Sequence, residues 1–438
     1  MSRIGEFRGI LPLRHCNKLW VVVDRGMSHE SCTICAYMST KKSQDNSVTA
    51  SHAFLWGAAT AAHQVEGNTH NDWTLWEREH ADELARSAMQ QPDEVREKFP
   101  EMTCRENYLS GASTDHFNRY KKDFQIAADL HHNAHRFSIE WSRVEPRKGV
   151  WNNEAIKHYR DVIDTLKSLH IEPVVTLYPW TVPVWFADMG GWLHPHAHIA
   201  FEKFVERMAL AFPDVKFWIT LNEPVRFVYH GYLEGRRPPG RKSIFLLIRA
   251  LHALVKSHRL AYAAIHKRCD VAYVGIAHDM MDLHGIARYI VRPLWNRWFL
   301  NQVQSSLDFI GVNYYFSQGK SEFYSDMGWR LVPDHLESAL MEVKRYRKPV
   351  IITEIGLADA ADKHRGWYIA SSVQAMKRAM ERGVDVWGYL YWSLLDNFEW
   401  DKGYWPRFGL VEIDYKTQRR HVRSSAFIYR DIIDSWHE

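Results

Sequence analysis

Eight short apolar runs, rich in β-branched and aromatic residues and separated in most cases by amphipathic helical stretches, set the tightest limit on how this chain folds. They fall at residues 53–59, 134–141, 172–178, 216–222, 272–277, 308–315, 349–354 and 386–393. Most are apolar on both faces, the pattern of strands buried in a parallel sheet. Between the second and third runs, Ile156, Tyr159, Ile163, Leu166 and Leu169 recur at spacings of three and four, the stripe of a helix packed on a sheet. Phe117, Tyr120, Phe124 and Ala128 do the same before the second run, with Asp115 placed to cap that helix. Parallel neighbours need a crossover, and closing the sheet removes both exposed edges, so the expected fold is a single α/β catalytic domain, a (β/α)8 TIM barrel. The alternative is an open doubly wound sheet, although no G-x-G-x-x-G follows the first run as a dinucleotide-binding sheet requires.

Domain boundaries follow from where this pattern begins. Residues 1–50 lack sustained periodicity and include a polar stretch at 39–47, so they read as an N-terminal extension, with the barrel spanning 51–438. Cys32 and Cys35 form a C-x-x-C in that extension, but no second pair follows at zinc-site spacing, and no metal is expected. His194, His196 and His198 are likewise read as a chance cluster among 25 histidines. Five cysteines, few and odd in number, argue against a disulfide framework and for a reducing, cytoplasmic compartment. A formal charge of +4 with no basic stripe excludes nucleic acid as an expected partner. No apolar run approaches the ~18 residues of a membrane span.

In such a barrel the chemistry belongs at the C-terminal ends of the strands. Reading those ends gives Gln64 and Glu66, Arg136 and Trp141, Trp180, Asn222 and Glu223, Asn313 and Tyr315, Glu354, and then Trp392, Glu399 and Trp400. Carboxylates, amides and indoles thus gather at one rim. Glu223 and Glu354 stand on the fourth and seventh runs, and only closure of the barrel would bring them together. Two facing carboxyls are what glycosidic cleavage needs, one to protonate the leaving oxygen and one to attack or to activate water.

The chain carries FLWGAATAAHQVEG at 54–67, HRFSIEWSRVEP at 135–146, TLNEP at 220–224, DFIGVNYY at 308–315, ITEIG at 352–356 and WSLLDNFEW at 392–400. With these six motifs in this order it resembles glycoside hydrolase family 1, the β-glucosidase and β-galactosidase family, from about residue 54 to the C-terminus. The resemblance implies a retaining β-glycosidase that acts on neutral β-hexosides through a covalent glycosyl-enzyme intermediate and needs no cofactor. It implies Glu354 as nucleophile, Glu223 as general acid/base, Arg136 beside the nucleophile and Tyr315 orienting it. Gln64, Asn222, Trp180, Asn313, Glu399 and Trp400 would bind the sugar, with Trp392 as its stacking floor. A carboxylate at Glu399 would repel a 6-phosphate. The rival readings are a non-catalytic sugar-binding relative, which typically lacks one glutamate, and an enzyme acting mainly as a transglycosylase.

Three departures from the family pattern stand out. Pro179 occupies the place of a histidine that bonds the sugar's 3-hydroxyl, and Ile355 replaces the asparagine after the nucleophile. The stretch from Glu234 to Tyr315 is short for the family, so trimmed loops after the fifth and sixth strands predict a more open pocket that admits bulkier aglycones.

Overall fold

The computed structural model describes residues 53–437. The expected extension, with Cys32 and Cys35, lies outside the described residues. Eight parallel strands close on themselves in sequence order: β1 (Leu55–Ala59), β2 (Ala134–Ser138), β3 (Glu172–Tyr178), β4 (Phe217–Asn222), β5 (Tyr273–Asp279), β6 (Ile310–Tyr314), β7 (Val350–Ile355) and β8 (Val386–Trp392). Closure is made by β1 pairing with β8, with Leu55 opposite Gly388 and Ala59 opposite Trp392. Each expected run coincides with one of these strands, and the open-sheet alternative is excluded. All five residues of β1, β2 and β6 are buried, which accounts for the lack of polar alternation in their sequences.

Helices cover the outside, among them α1 (Asp72–Ala88), α2 (His116–Asp129), α3 (Asn153–Ser168), α4 (Ala197–Ala211), α5 (Ile244–His266) and α6 (Ala287–Val303). The stripe read from the sequence is the buried face of α3: Tyr159, Ile163 and Leu166 are buried, and Ile156 and Leu169 pack against the same core. Asn152 caps that helix by accepting from the backbone amides of Glu154 and Ala155, at 3.1 and 3.2 Å. The cap expected of Asp115 is not made. Asp115 sits in the left-handed region at φ +53°, and its carboxylate turns to Asn118 Nδ2 and Arg119 Nε, both at 2.7 Å. A charged partner one turn along the helix outbids the amide at its start.

Trp141 was expected on the rim of β2. It begins a short helix instead (Trp141–Val144) and is buried among Phe186, Phe201 and Phe204, donating from Nε1 to Glu145 Oε2 at 2.8 Å. Glu66 likewise turns away from the rim, taking Arg143 Nε at 2.7 Å and the Tyr159 hydroxyl at 2.9 Å. Trp141 serves packing, and Glu66 a buried ion pair. Among the described residues, no helix is long and apolar enough to cross a membrane.

Candidate active site

A cavity of about 550 Å³ opens at the C-terminal ends of the strands. Gln64, Arg136, Trp180, Asn222, Glu223, Tyr315, Glu354, Trp392, Glu399 and Trp400 all line it. Of the residues predicted to act there, Asn313 alone lies beneath the surface, fully buried. Pro179 faces the cavity, while Ile355 is buried in the core, where an apolar side chain is at home.

Glu223 and Glu354 are both buried, and one chain of hydrogen bonds joins them. Arg136 donates from Nη1 to Glu354 Oε1 and from Nη2 to Asn222 Oδ1, the latter at 2.8 Å. Asn313 Nδ2 donates to Asn222 Oδ1 at 3.1 Å and to Glu223 Oε1 at 3.0 Å. Thr353 Oγ1 donates to Asn313 Oδ1 at 2.7 Å, which fixes which end of that amide faces Glu223. Each carboxylate is thus held by a buried, oriented donor. On the other oxygen of Glu354, the Tyr315 hydroxyl donates at 2.8 Å.

The two carboxyls sit in different electrostatic settings. Glu354 receives hydrogen bonds from a guanidinium and a phenol. Burial pushes Glu223 up to about 8, and the negative charges of Asp279 and Glu354 act in the same direction, against the opposing pull of Arg226. Near neutral pH, Glu223 therefore carries a proton it can give away.

Backbone geometry concentrates strain at this rim. Glu223, Trp180 and Trp400 all have positive φ, at +47°, +109° and +48°. For residues with a Cβ these conformations are unfavourable by about 1–3 kcal/mol each, and they persist where the surroundings over-determine them, commonly at functional sites. Gly356 contributes differently: a Cβ there would fall 1.8 Å from the Trp392 carbonyl oxygen, so only glycine lets the end of β7 close on β8 beneath the pocket.

The opposite wall carries polar side chains bonded to one another. Gln64 Nε2 donates to Asn397 Oδ1, the Phe398 carbonyl and Glu399 Oε2, at 3.0, 2.9 and 3.4 Å. Glu399 is pushed up to about 7 by burial, with Arg237 opposing and Asp401 and Glu354 reinforcing. Trp400 leans on Trp180, with ring centres 4.8 Å apart, and Trp180 donates from Nε1 to the Asn222 carbonyl at 3.0 Å.

Two ion pairs were not foreseen. Arg226 lies 3.5 Å from Glu223 and 2.8 Å from Asp279, and Arg237 donates from Nε to Asp401 at 2.7 Å while its guanidinium covers the face of Trp180. A sequence signal existed for the first pair. Arg226 stands three residues after Glu223 on a helical turn (Pro224–Val228), and β5 runs two residues beyond its expected end, to Asp279.

Among the described residues, one group has metal-ligand geometry, Asp282 with His284 and His335, outside this cavity. Asp282 Oδ2 accepts from His335, Ser317 and His284 at 2.5, 3.0 and 3.1 Å, and Arg292 takes the other oxygen at 3.1 Å. A guanidinium thus already neutralises that carboxylate. Of the histidine triplet, His194 Nδ1 accepts the backbone N–H of His196 at 3.1 Å, a local turn contact.

Comparison with known proteins agrees with this fold. A β-glycosidase structure from Pyrococcus horikoshii superposes with a TM-score of 0.78 at 34% identity, covering 87% of this chain and 94% of that one. β-Glucosidase A of Thermotoga maritima is 29% identical over 455 aligned positions, 87% of this chain and 96% of the relative. A β-galactosidase of Sulfolobus acidocaldarius is 28% identical over 412 positions, 73% of this chain and 84% of the relative. The sequence model of glycosyl hydrolase family 1 matches residues 47–287 and 318–437, most of the chain and every strand of the barrel but β6, so this protein belongs to glycosyl hydrolase family 1 and is an O-glycosyl hydrolase.

Proposed function

We propose that this chain, through its barrel of residues 51–438, hydrolyses β-D-glucosides and related neutral β-hexosides with retention of configuration. The observation that carries the reading is the opposed setting of two carboxyls on one cavity: Glu354 held by Arg136 and Tyr315, and Glu223 raised to about 8 chiefly by burial. Glu354 attacks the anomeric carbon while Glu223 protonates the departing oxygen, and a glycosyl ester forms on Glu354. The ester carries no charge, so one of the forces holding the proton on Glu223 disappears, and Glu223 then takes a proton from the incoming water. Asn313 serves by orienting Glu223 and Asn222 from below.

In the same reading the sugar's hydroxyls meet Gln64, Asn222, Glu399 and Trp400, with Trp392 as the apolar face beneath the ring. Relatives named β-glucosidase and β-galactosidase support a neutral hexoside. Glu399, pushed up to about 7, keeps part of its negative charge near neutral pH, and that charge disfavours a phosphorylated one. Both glutamates are present, which favours catalysis over sugar binding alone, and the low, odd cysteine count supports a reducing compartment such as the cytoplasm.

The test is azide rescue. Glu354→Ala and Glu223→Ala should each lose turnover of aryl β-D-glucosides, the latter by about 10²–10⁴-fold where the leaving group needs a proton. Azide should restore Glu354→Ala with an α-glycosyl azide as product, and Glu223→Ala with the β-azide. The same anomer from both variants would rule out the assigned roles.

A further inference from the structure

Beside the pocket just described lies a second cavity, of about 760 Å³, and its character is different. Leu247, Ile248 and Leu251 of α5 form one wall, and Val291, Leu294 and Trp298 of α6 the other. These walls offer a sugar almost nothing to hydrogen-bond, and saccharide sites need several placed donors and acceptors. The groove also opens outward: Ile248, Val291 and Leu294 are 45%, 43% and 62% exposed. An apolar surface of this kind, left facing water, marks a binding surface.

The groove is continuous with the catalytic pocket. Arg226, His230, Arg236, Tyr315 and Trp329 line both cavities. Through them it touches both carboxyls: Tyr315 donates to Glu354 at 2.8 Å, and Arg226 stands 3.5 Å from Glu223. Trp295, on the groove side, donates from Nε1 to Asp279 at 2.8 Å, the carboxylate that pairs with Arg226. From the reaction centre outward, a ligand would therefore meet a sugar pocket, a polar collar of Arg226, His230 and Arg236, and then an apolar trough. That order is the order of polarity along a sugar, its linker and a hydrocarbon tail.

The match to the family model stops at residue 287 and resumes at 318, and Val291, Leu294 and Trp298 fall in the gap. On this side α6 presents Val291, Leu294 and Trp298 to the groove.

We propose that the groove between α5 and α6 binds the alkyl or acyl chain of an amphiphilic β-glycoside whose sugar occupies the catalytic pocket. The proposal rests on the glycosidase reading of that pocket, and it narrows the substrate to glycosides with a linear hydrocarbon aglycone.

The probes are n-alkyl 1-thio-β-D-glucosides from methyl to decyl, which resist hydrolysis, titrated calorimetrically below their critical micelle concentrations against the full-length chain. Each methylene that enters the groove should lower Kd by about threefold to fourfold, the fold-change equivalent to ~0.8 kcal/mol per buried CH₂. In the double variant Ile248→Glu, Leu294→Glu that dependence should flatten; both side chains are substantially exposed, so the fold should survive, as a thermal melt would verify. A Kd independent of chain length from butyl to decyl overturns the proposal, as does a slope that persists in the double variant. Thioglucoside binding involves no turnover, so an absence of β-glucoside hydrolysis would defeat the glycosidase reading without altering what the slope says about the groove.

Discussion

Replacing Asp279 by asparagine removes one negative charge beside Glu223 and keeps the side chain's shape. Arg226 Nε stands 3.5 Å from Glu223 Oε2 and 3.0 Å from Asp279 Oδ2. Those two legs place the carboxylate oxygens within about 6.5 Å of each other, where like charges at an effective dielectric of ~20 repel by about 2.5 kcal/mol. That repulsion corresponds to roughly two pH units, and relaxation of the site trims the expected effect to about one to two. The amide would also leave Arg226 less neutralised, and its positive charge then favours the ionised form of Glu223 more strongly. Both consequences act downward on Glu223. In the wild type, burial first and then Asp279 and Glu354 raise it to about 8, so kcat/KM should hold through neutral pH and fall as the pH rises through about 8, when the proton to be donated is lost. In Asp279→Asn the alkaline limb should move to about pH 6–7. The assay is kcat/KM against pH with phenyl β-D-glucoside, whose poor leaving group depends on acid catalysis. An alkaline limb that stays where the wild type has it, with activity retained, would refute the assignment of that limb to Glu223 under the influence of Asp279.

Three further substitutions test neighbouring parts of the account. Tyr315→Phe removes a hydrogen bond to a carboxylate, and kcat/KM should fall by about 10-fold to 150-fold, the equivalent of ~1.5–3 kcal/mol, with the protein still folded by circular dichroism. Pro179→His would restore a side-chain donor facing the cavity; KM for glucosides should drop by about fivefold, ~1 kcal/mol, with no gain for the 3-deoxy sugar. Glu223→Gln should raise the thermal midpoint at pH 8 by several degrees and change it little at pH 5. The reason lies in linkage: Glu223 titrates near 8 in the folded protein against an ordinary value of 4.5, so the folded state holds the proton more tightly, and stability present in full below the unfolded value is lost as the pH rises towards 8.

How far the sequence spoke depended on whether a residue's partner was local. The strands were readable because burial on both faces leaves continuous apolar runs, and Asn222-Glu223 and Glu354 were readable because they terminate such runs. Trp141 misled for the same reason: it follows an apolar run directly, yet the chain turns into a short helix that inserts it among phenylalanines. Asp115 misled because a capping preference competes with a nearby arginine, and the sequence does not reveal which will win. Arg237 and Asp401 were invisible, since their pairing joins loops far apart in the chain across the closed barrel. The groove hid in plain view. Its leucines and tryptophans recur at ordinary helical spacings on α5 and α6, and only the fold shows that these faces leave a gap instead of packing together.

The central claim concerns the direction from which the sugar is attacked, twice, on one cavity. Proton NMR during the first turnovers of phenyl β-D-glucoside reads it directly, because the anomeric protons of newly released α- and β-glucose are resolved before mutarotation mixes them. The account predicts β-glucose first, with the α anomer growing in at the rate of spontaneous mutarotation. Release of α-glucose first would mean a single inversion by activated water, and would contradict Glu354 as a nucleophile.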